Sequence, residues 1–263
     1  MRQFTPEYLR ETRRGLWDDR SPLGPVVRGD PERILDVGAG TGEFTAVLRE
    51  ESTAQVLALD ADRELLQAGA MPDAFQGAAT QLPFSDDTVD LAACQALLVN
   101  VPDPRAVLGE FTRVASDRIA AVEPDNGEVT VESTVEEEPR LSNRARSYYM
   151  AGLETDSRLG RDLRALFEAA GSTEITVSRM VHERVVEPPY SAAAIESARR
   201  KVTASRLDGH RETMLDGGLT SAEFGRFRDE WQSMGRSIVE QVQSETYRRR
   251  ETVPFYVAVG HVG

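Results

Sequence analysis

The chain has 263 residues, with 44 acidic against 31 basic side chains and a formal net charge of −13. This acidic balance disfavours general nucleic-acid binding, because phosphates are held by a basic face. The single cysteine, Cys94, excludes an intrachain disulfide and a cysteine-ligated zinc cluster. The length suits one sizeable core with an appendage, so we expect one domain with an insertion.

The basic residues are unusual, because 30 of the 31 are arginine and Lys201 is the only lysine. A GC-rich genome would explain few lysines but not the excess of acids. An acidic surface keeps a protein hydrated in concentrated salt. We therefore predict a halophilic, archaeal origin. No apolar signal core or run of about 18 apolar residues is visible, so we expect a soluble, cytoplasmic protein.

The first predicted element is a helix, with Thr5 as its cap and Pro6 at its first position, where a missing N–H costs nothing. An apolar run at residues 34–37 then leads into three alternating glycines: Gly38, Gly40 and Gly42. Glycine at such a turn permits positive φ angles and close approach of the backbone to a ligand. The pattern predicts a strand, a tight turn and a helix start beside a nucleotide-like cofactor.

The spacing of these glycines indicates the kind of cofactor. A dinucleotide fingerprint is G-x-G-x-x-G, whereas the third glycine here comes one position early and Glu43 follows it. A carboxylate beside a pyrophosphate would repel it. A second apolar run, 56–60, ends in Asp60, at the spacing where an acid accepts both hydroxyls of a ribose. The pair predicts an adenosine site without provision for phosphate, which fits a sulfonium cofactor better than NAD.

Helices are predicted after each of these strands, at residues 43–50 and 64–70. Alternating strands and helices imply a parallel sheet covered on both faces, with ligands beyond the carboxyl ends of the strands. The residues expected at those ends are Gly38, Asp60, Asn100 and Glu123.

The pattern is weaker after Asp125. The remaining predicted elements are helices at 141–153 and 160–171, a strand at 172–177 that 181–186 extends, and a last strand at 253–259. Between them, residues 188–250 are helix-forming with a break at 216–218, too long for an ordinary connection. We interpret this insertion as a helical lid over a substrate pocket; a dimerisation arm or a simple packing element are the alternatives.

Five blocks in order resemble the class I S-adenosylmethionine-dependent methyltransferases, in particular the small-molecule, quinone-biosynthesis-like branch called methyltransferase type 11. The blocks lie at residues 34–44, 57–62, 77–84, 89–104 and 118–126. The resemblance implies a Rossmann-like, doubly wound, mostly parallel seven-stranded sheet with an antiparallel last strand. Residues 1–187 and 251–263 would form the cofactor domain, and 188–250 the lid.

The resemblance also implies S-adenosylmethionine as cofactor, S-adenosylhomocysteine as product and no metal. The cofactor-binding residues it implies, together with the reasoning above, are Asp36, Gly38, Ala39, Gly40, Gly42, Asp60, Ala61, Ala79, Thr80, Gln81 and Asn100. Asp36 either orients the turn or approaches the cofactor's ammonium, and Asn100 either contacts substrate or cofactor or has a helix-capping or loop role. Ala78 departs from the family, which has an acid there. In the family an N-terminal segment often folds over the cofactor, which would bring Tyr8 and Arg13 to its methionine end; the alternative is a solvated amphipathic helix.

The catalytic residue is unknown from the sequence, since methyl transfer from a sulfonium needs chiefly positioning, desolvation and, in some cases, a base. The candidates are Glu123, His182, His210 and Tyr148, each with a structural alternative: hydrogen bonding at the sheet end for Glu123, a structural or exposed histidine, and a pocket wall for Tyr148.

We predict methyl transfer to a small molecule by a monomer or homodimer that binds neither membrane nor nucleic acid in general. One alternative is tRNA or protein methylation, using a local basic patch formed by Arg199, Arg200, Lys201, Arg206 and 248–250. Another is a regulatory protein that binds S-adenosylmethionine without catalysis.

Overall fold

The computed structural model describes residues 4–263, which form two compact units. The first unit runs to Asp125 and adds Ser157–His182 and Pro254–Gly263. The second consists of Asn126–Asp156 and Glu183–Val253. The predicted insertion, 188–250, lies wholly within the second unit, which is larger than predicted. Its role as a lid stays a prediction.

The chain contains both strands and helices in close alternation. The strands are β1 (Arg33–Val37), β2 (Gln55–Asp60), β3 (Ala74–Gln76), β4 (Val89–Gln95), β5 (Ala115–Pro124), β6 (Thr130–Ser133), β7 (Thr173–Val186) and β8 (Arg249–His261). The helices are α1 (Pro6–Arg13), α2 (Gly24–Val27), α3 (Glu43–Glu51), α4 (Arg63–Gly69), α5 (Pro104–Val114), α6 (Glu137–Ala151), α7 (Leu163–Ala169), α8 (Ala192–Thr203), α9 (Ser205–Gly209), α10 (Arg211–Asp216) and α11 (Ser221–Gln243).

The sheet of the first unit has the order β3-β2-β1-β4-β5-β8, and β7 also pairs with β8. Pairing is parallel from β3 to β5, and β8 runs antiparallel to β5. The central strands are apolar along most of their length because helices cover both faces of such a sheet. The predicted Rossmann-like fold with an antiparallel last strand is therefore confirmed. Among residues 4–263 the sheet has eight strands rather than seven, because residues 130–133 form a short strand that the sequence pattern did not predict.

Several helix starts follow from their capping residues. The Thr5 hydroxyl accepts a hydrogen bond from the Tyr8 amide, and Pro6 occupies the first helical position of α1, as predicted. The Asp62 carboxylate accepts from the amides of Glu64 and Leu65 and so caps α4.

The second unit is mainly helical, with α8 and α11 packed together and β6 paired to residues 249–252 of β8. The predicted break at 216–218 separates α10 from α11. Two glycines allow α6 and α10 to approach closely: a Cβ on Gly152 would lie 1.7 Å from the Thr213 carbonyl oxygen, and one on Gly217 would lie 2.0 Å from that of Tyr148. Within residues 4–263, no helix has the length and apolar character needed to cross a bilayer.

Candidate cofactor site

The glycine turn follows β1 in the conformation that its sequence predicts. Gly38, Gly40 and Gly42 have φ angles of 74°, 58° and 87°, in the left-handed region that favours glycine. The amides of Gly38 and Ala39 donate to the Leu59 carbonyl oxygen at 2.7 and 3.0 Å. These hydrogen bonds hold the turn against the neighbouring strand β2, next to Asp60, the residue predicted to bind a ribose.

Asp60 ends β2 and lies directly against the glycine turn. Its Oδ2 accepts a hydrogen bond from the Gly40 amide at 2.8 Å, and its Oδ1 accepts one from the Asp62 amide at 2.8 Å. Burial raises the pKa of the Asp60 carboxyl, while these two hydrogen bonds oppose the rise. These two hydrogen bonds fix the orientation of the Asp60 carboxylate. Because an ionised carboxylate has about four lone-pair positions, it can still accept hydrogen bonds from two hydroxyl groups.

Two buried acceptors lie near the carboxyl ends of the central strands. Asp36 Oδ2 accepts from the Thr45 hydroxyl at 2.6 Å, but Asp36 Oδ1 has no hydrogen-bond partner among the residues described. The amide nitrogen of Asn100 donates to the Ala96 carbonyl oxygen at 2.7 Å, and its Oδ1 is likewise buried without a partner in residues 4–263. Buried polar groups are normally satisfied, so these oxygens fit a ligand that brings hydrogen-bond donors, such as an ammonium.

The stability of the protein should fall as pH rises from about 4 toward 7, because burial raises the pKa of Asp36 to about 7 despite the hydrogen bond from Thr45. Between the ordinary pKa of a carboxyl group and this raised value, the folded state holds a proton that the unfolded state has released, so stability declines across that range and levels off above it. A tenfold change in proton affinity is worth about 1.4 kcal/mol, so we expect a decline on the order of a few kcal/mol. Urea unfolding from pH 4 to 8 measures it.

Asp36→Asn should flatten this decline without abolishing it, since burial also raises the pKa of Glu123 to about 7. An unchanged slope in the asparagine variant would show that Asp36 does not take up a proton on folding in this range.

The loop predicted to flank an adenine lies beside the end of β2. The Gly77 amide donates to the Asp60 carbonyl oxygen at 3.1 Å, and the Gln81 amide donates to that of Ala78 at 3.1 Å, which closes a tight turn. Ala79 is half-buried, whereas Thr80 and Gln81 are exposed. The Ala61 carbonyl oxygen accepts from the Gln76 side chain at 3.2 Å. The roles of these residues toward a base stay predictions.

The segment that begins with α1 covers the glycine turn. A Cβ on Gly40 would lie 3.0 Å from the Leu9 side chain and 3.3 Å from Arg13 Nη1. Arg13, whose side chain is 10% exposed, forms an ion pair with Glu43 at 3.2 Å. Glu43 is not among the predicted cofactor-binding residues, and nothing in the sequence around it indicates an arginine partner 30 positions away.

Trp17 fastens the same segment to the sheet. Its indole N–H donates to Gln95 Oε1 at 2.7 Å, and its ring stacks on Phe44 at a centroid distance of 5.6 Å. Trp17 and Gln95 were not predicted to belong to the site. A buried tryptophan usually finds a partner for its N–H, but the sequence does not show which one.

The structure corrects the interpretation of Glu123. This residue is fully buried, and its carboxylate accepts from the amides of Leu97, Leu98 and Val99 at 2.9, 2.8 and 3.2 Å. The carboxylate thus anchors the turn after β4 rather than facing a substrate. Hydrogen bonding at the sheet end, the alternative considered above, describes its position.

The other catalytic candidates are divided between the two units. His182 is buried on β7 of the first unit, with its ring 6.4 Å from that of Phe255. Tyr148 and His210 belong to the second unit, where the His210 ring lies 4.4 Å from the Tyr149 ring. No base follows from this arrangement. Within the described part of the chain there is also no cluster of side chains suited to a metal ion.

Gly38→Ala should destabilise the protein by about 2–4 kcal/mol, from the strain of positive φ and from overpacking. An added Cβ would lie 2.8 Å from Leu97 Cδ1 and 3.2 Å from its Cβ, which a rotamer change cannot relieve. Gly109→Ala is the matched control: Gly109 lies within α5 with open space around it. It should stabilise the fold by about 0.5–1 kcal/mol. Changes of equal sign in thermal unfolding would contradict the assignment of the turn.

A Rossmann-like sheet, a left-handed glycine turn and an acid at the end of the next strand form the arrangement beside which nucleotide-like ligands bind in such folds. Residues 35–118 match the family model described as a methyltransferase domain. Among curated relatives, a demethylmenaquinone methyltransferase of Clavibacter sepedonicus is 41% identical over 90 residues, which are 32% of this chain and 36% of that protein. The chain spans between 36% and 57% of the length of curated relatives that it matches.

Solved structures extend the likeness to most of the chain. A candidate methyltransferase of Bacillus halodurans has a TM-score of 0.53 at 15% identity, over 93% of this chain and 99% of the other. An S-adenosylmethionine-dependent methyltransferase of Thermotoga maritima has a TM-score of 0.50 at 17% identity, over 98% of both chains. The chain therefore has the fold of S-adenosylmethionine-dependent methyltransferases, and its residues 35–118 match their methyltransferase domain.

Proposed function

We propose that the chain is an S-adenosylmethionine-dependent methyltransferase that acts on a small molecule. The observation that carries the proposal is the carboxylate of Asp60, held at 2.8 Å from the Gly40 amide at the end of β2. This is the position from which an acid binds the ribose of an adenosine cofactor. The match of residues 35–118 to the methyltransferase domain supports the same conclusion.

Each part of the site has a role in this proposal. Asp60 accepts hydrogen bonds from the ribose hydroxyls. The buried oxygens of Asp36 and Asn100 accept hydrogen bonds from the ammonium group, and residues 79–81 border the adenine. Bound S-adenosylmethionine supplies a methyl group on a positively charged sulfur, activated for in-line displacement. The side chains position the reactants and exclude water from them.

A small-molecule acceptor is supported by two observations. Curated relatives that the chain matches include demethylmenaquinone methyltransferases, although the similarity covers 32% and 44% of this chain in two of them. The basic patch considered for tRNA is also weakened, because Lys201 and Arg249 are only 17% and 16% exposed and both bind Glu138. Since no side chain is established as a base, we propose that positioning dominates catalysis.

The composition supports a salt-rich cytosol as the working environment, because carboxylates outnumber basic groups and lysine is nearly absent. An increase in thermal stability between low and molar potassium chloride would support this setting. A decrease would contradict it.

Isothermal titration calorimetry with S-adenosylmethionine tests the proposed cofactor, with NAD as the matched control ligand. We expect saturable binding of S-adenosylmethionine and S-adenosylhomocysteine and none of NAD, because the spacing of the three glycines departs from the dinucleotide fingerprint and Glu43 follows the glycine turn. Binding of NAD alone would overturn the proposal.

A further inference from the structure

Charged side chains from four elements of the second unit meet in one place, which we call the arginine–glutamate cluster. Its members are Glu138 and Arg146 on α6, Arg184 on β7, Lys201 on α8, and Arg249 and Glu251 on β8. Arg249 and Glu251 are two residues apart on a strand and so share one face of it. The only lysine of the chain belongs to this cluster.

The Glu138 carboxylate is fully buried and already saturated with donors. It accepts from Lys201 Nζ, from Arg249 Nε at 3.1 Å, from the Tyr247 hydroxyl at 2.9 Å and from the Ser133 hydroxyl at 2.6 Å. This carboxylate therefore balances the charge of Lys201 and part of the charge of Arg249. It has no free lone pair to accept a hydrogen bond from the remaining cations of the cluster.

The other carboxylate, Glu251, is shared among arginines. It binds Arg249 and, at 3.0 Å, Arg184 Nη2, and these arginines together with Arg146 lower its pKa to about 2 despite burial. Arg184 Nε is buried and has no hydrogen-bond partner in the part of the chain that the structure describes. Arg146 donates through Nη1 to the Val129 carbonyl oxygen and to Asn143 Oδ1, both at 2.9 Å.

The charges of the cluster do not balance, since four cations face two carboxylates. Taking unpaired charge out of water is costly, and burial lowers the pKa of Arg146. In a chain with a net charge of −13, an excess of positive charge on the half-buried side chains of Arg146 and Arg184 is unexpected for a purely structural network. A bound anion would offset it.

We propose that the arginine–glutamate cluster binds an oxyanion, a carboxylate or a phosphate group, through Arg184 and Arg146. The planar guanidinium group matches both anions with paired donors. This anion site is inferred independently of the proposed function.

Isothermal titration calorimetry of the whole chain with inorganic phosphate, and separately with acetate, tests the site at constant ionic strength set with chloride. We expect saturable binding of at least one of the two, and the preferred one identifies the anion class. Arg184→Gln should weaken it at least tenfold. The control is Arg228→Gln, which removes a partly exposed arginine bound to Asp208 and should change the affinity less than twofold.

The inference would be overturned if the wild-type protein bound neither phosphate nor acetate in the presence of chloride, and this result does not depend on whether the variants fold. Equal weakening by both substitutions would overturn it as well, because it would show a general charge effect. These titrations contain no S-adenosylmethionine. Anion binding without methyl transfer would therefore contradict the proposed function alone, and methyl transfer without anion binding would contradict this inference alone.

Discussion

Replacing Asp60 by asparagine should weaken S-adenosylmethionine binding by about tenfold to a hundredfold. The asparagine is nearly isosteric but offers one acceptor oxygen and no charge, so it cannot accept from both ribose hydroxyls while keeping the amides of Gly40 and Asp62. Hydrogen bonds to a charged group contribute about 1.5–3 kcal/mol. Calorimetric titration of folded variant and wild type measures the difference directly.

The matched control for this substitution is Asp90→Asn. Asp90 also accepts from two backbone amides, those of Glu32 and Arg33, both at 2.8 Å. Asp90 lies beside the start of β1, because that strand begins at Arg33. The glycine turn follows the other end of the same strand. Its loss should leave cofactor affinity within about twofold of wild type, since it makes no charge-assisted bond to the ligand. Equal effects of the two substitutions would mean that Asp60 acts only through the fold.

Glu138→Ala should be the most destabilising of the proposed substitutions, by about 3–5 kcal/mol. Removing one partner of a buried ion pair leaves the other charge uncompensated, and here both Lys201 and Arg249 lose the carboxylate that they bind. Such a loss is a large fraction of the roughly 5–15 kcal/mol that stabilises a typical domain. Urea unfolding followed by circular dichroism measures it.

Glu230→Ala is the corresponding surface control. Glu230 is 42% exposed and also has two basic partners, Arg140 at 3.2 Å and Arg144 at 3.8 Å. Exposed pairs contribute about 0–1 kcal/mol, so this variant should remain within that range. If the two variants lost the same stability, the buried network would contribute no more than an exposed one.

The features that could be predicted from the sequence are those set by short stretches of chain. The glycine turn and Asp60 follow from a strand, a tight turn and a helix start within a few residues of one another, and the cap at Thr5 directly precedes the helix that it begins. The run at residues 253–259 indicated the last strand for the same reason. Its antiparallel pairing with β5 was implied only by the family resemblance.

The features that could not be predicted depend on contacts between distant positions. Arg13 pairs with Glu43, and the Trp17 indole donates a hydrogen bond to Gln95. Glu123 accepts hydrogen bonds from backbone amides that follow β4. No periodicity selects these partners. The arginine–glutamate cluster was not predicted for the same reason, since its members are spread from residue 138 to residue 251. Only Lys201 and Arg249 were grouped from the sequence, as part of a basic patch without carboxylates.

The most direct test of the central claim is to measure S-adenosylhomocysteine formed from S-adenosylmethionine with fractionated cell extract as the acceptor source. We predict product with the small-molecule fraction, no product with purified RNA or protein, and loss of product with Asp60→Asn. No S-adenosylhomocysteine with any fraction, from folded protein that binds the cofactor, would contradict catalysis and leave a cofactor-binding protein instead.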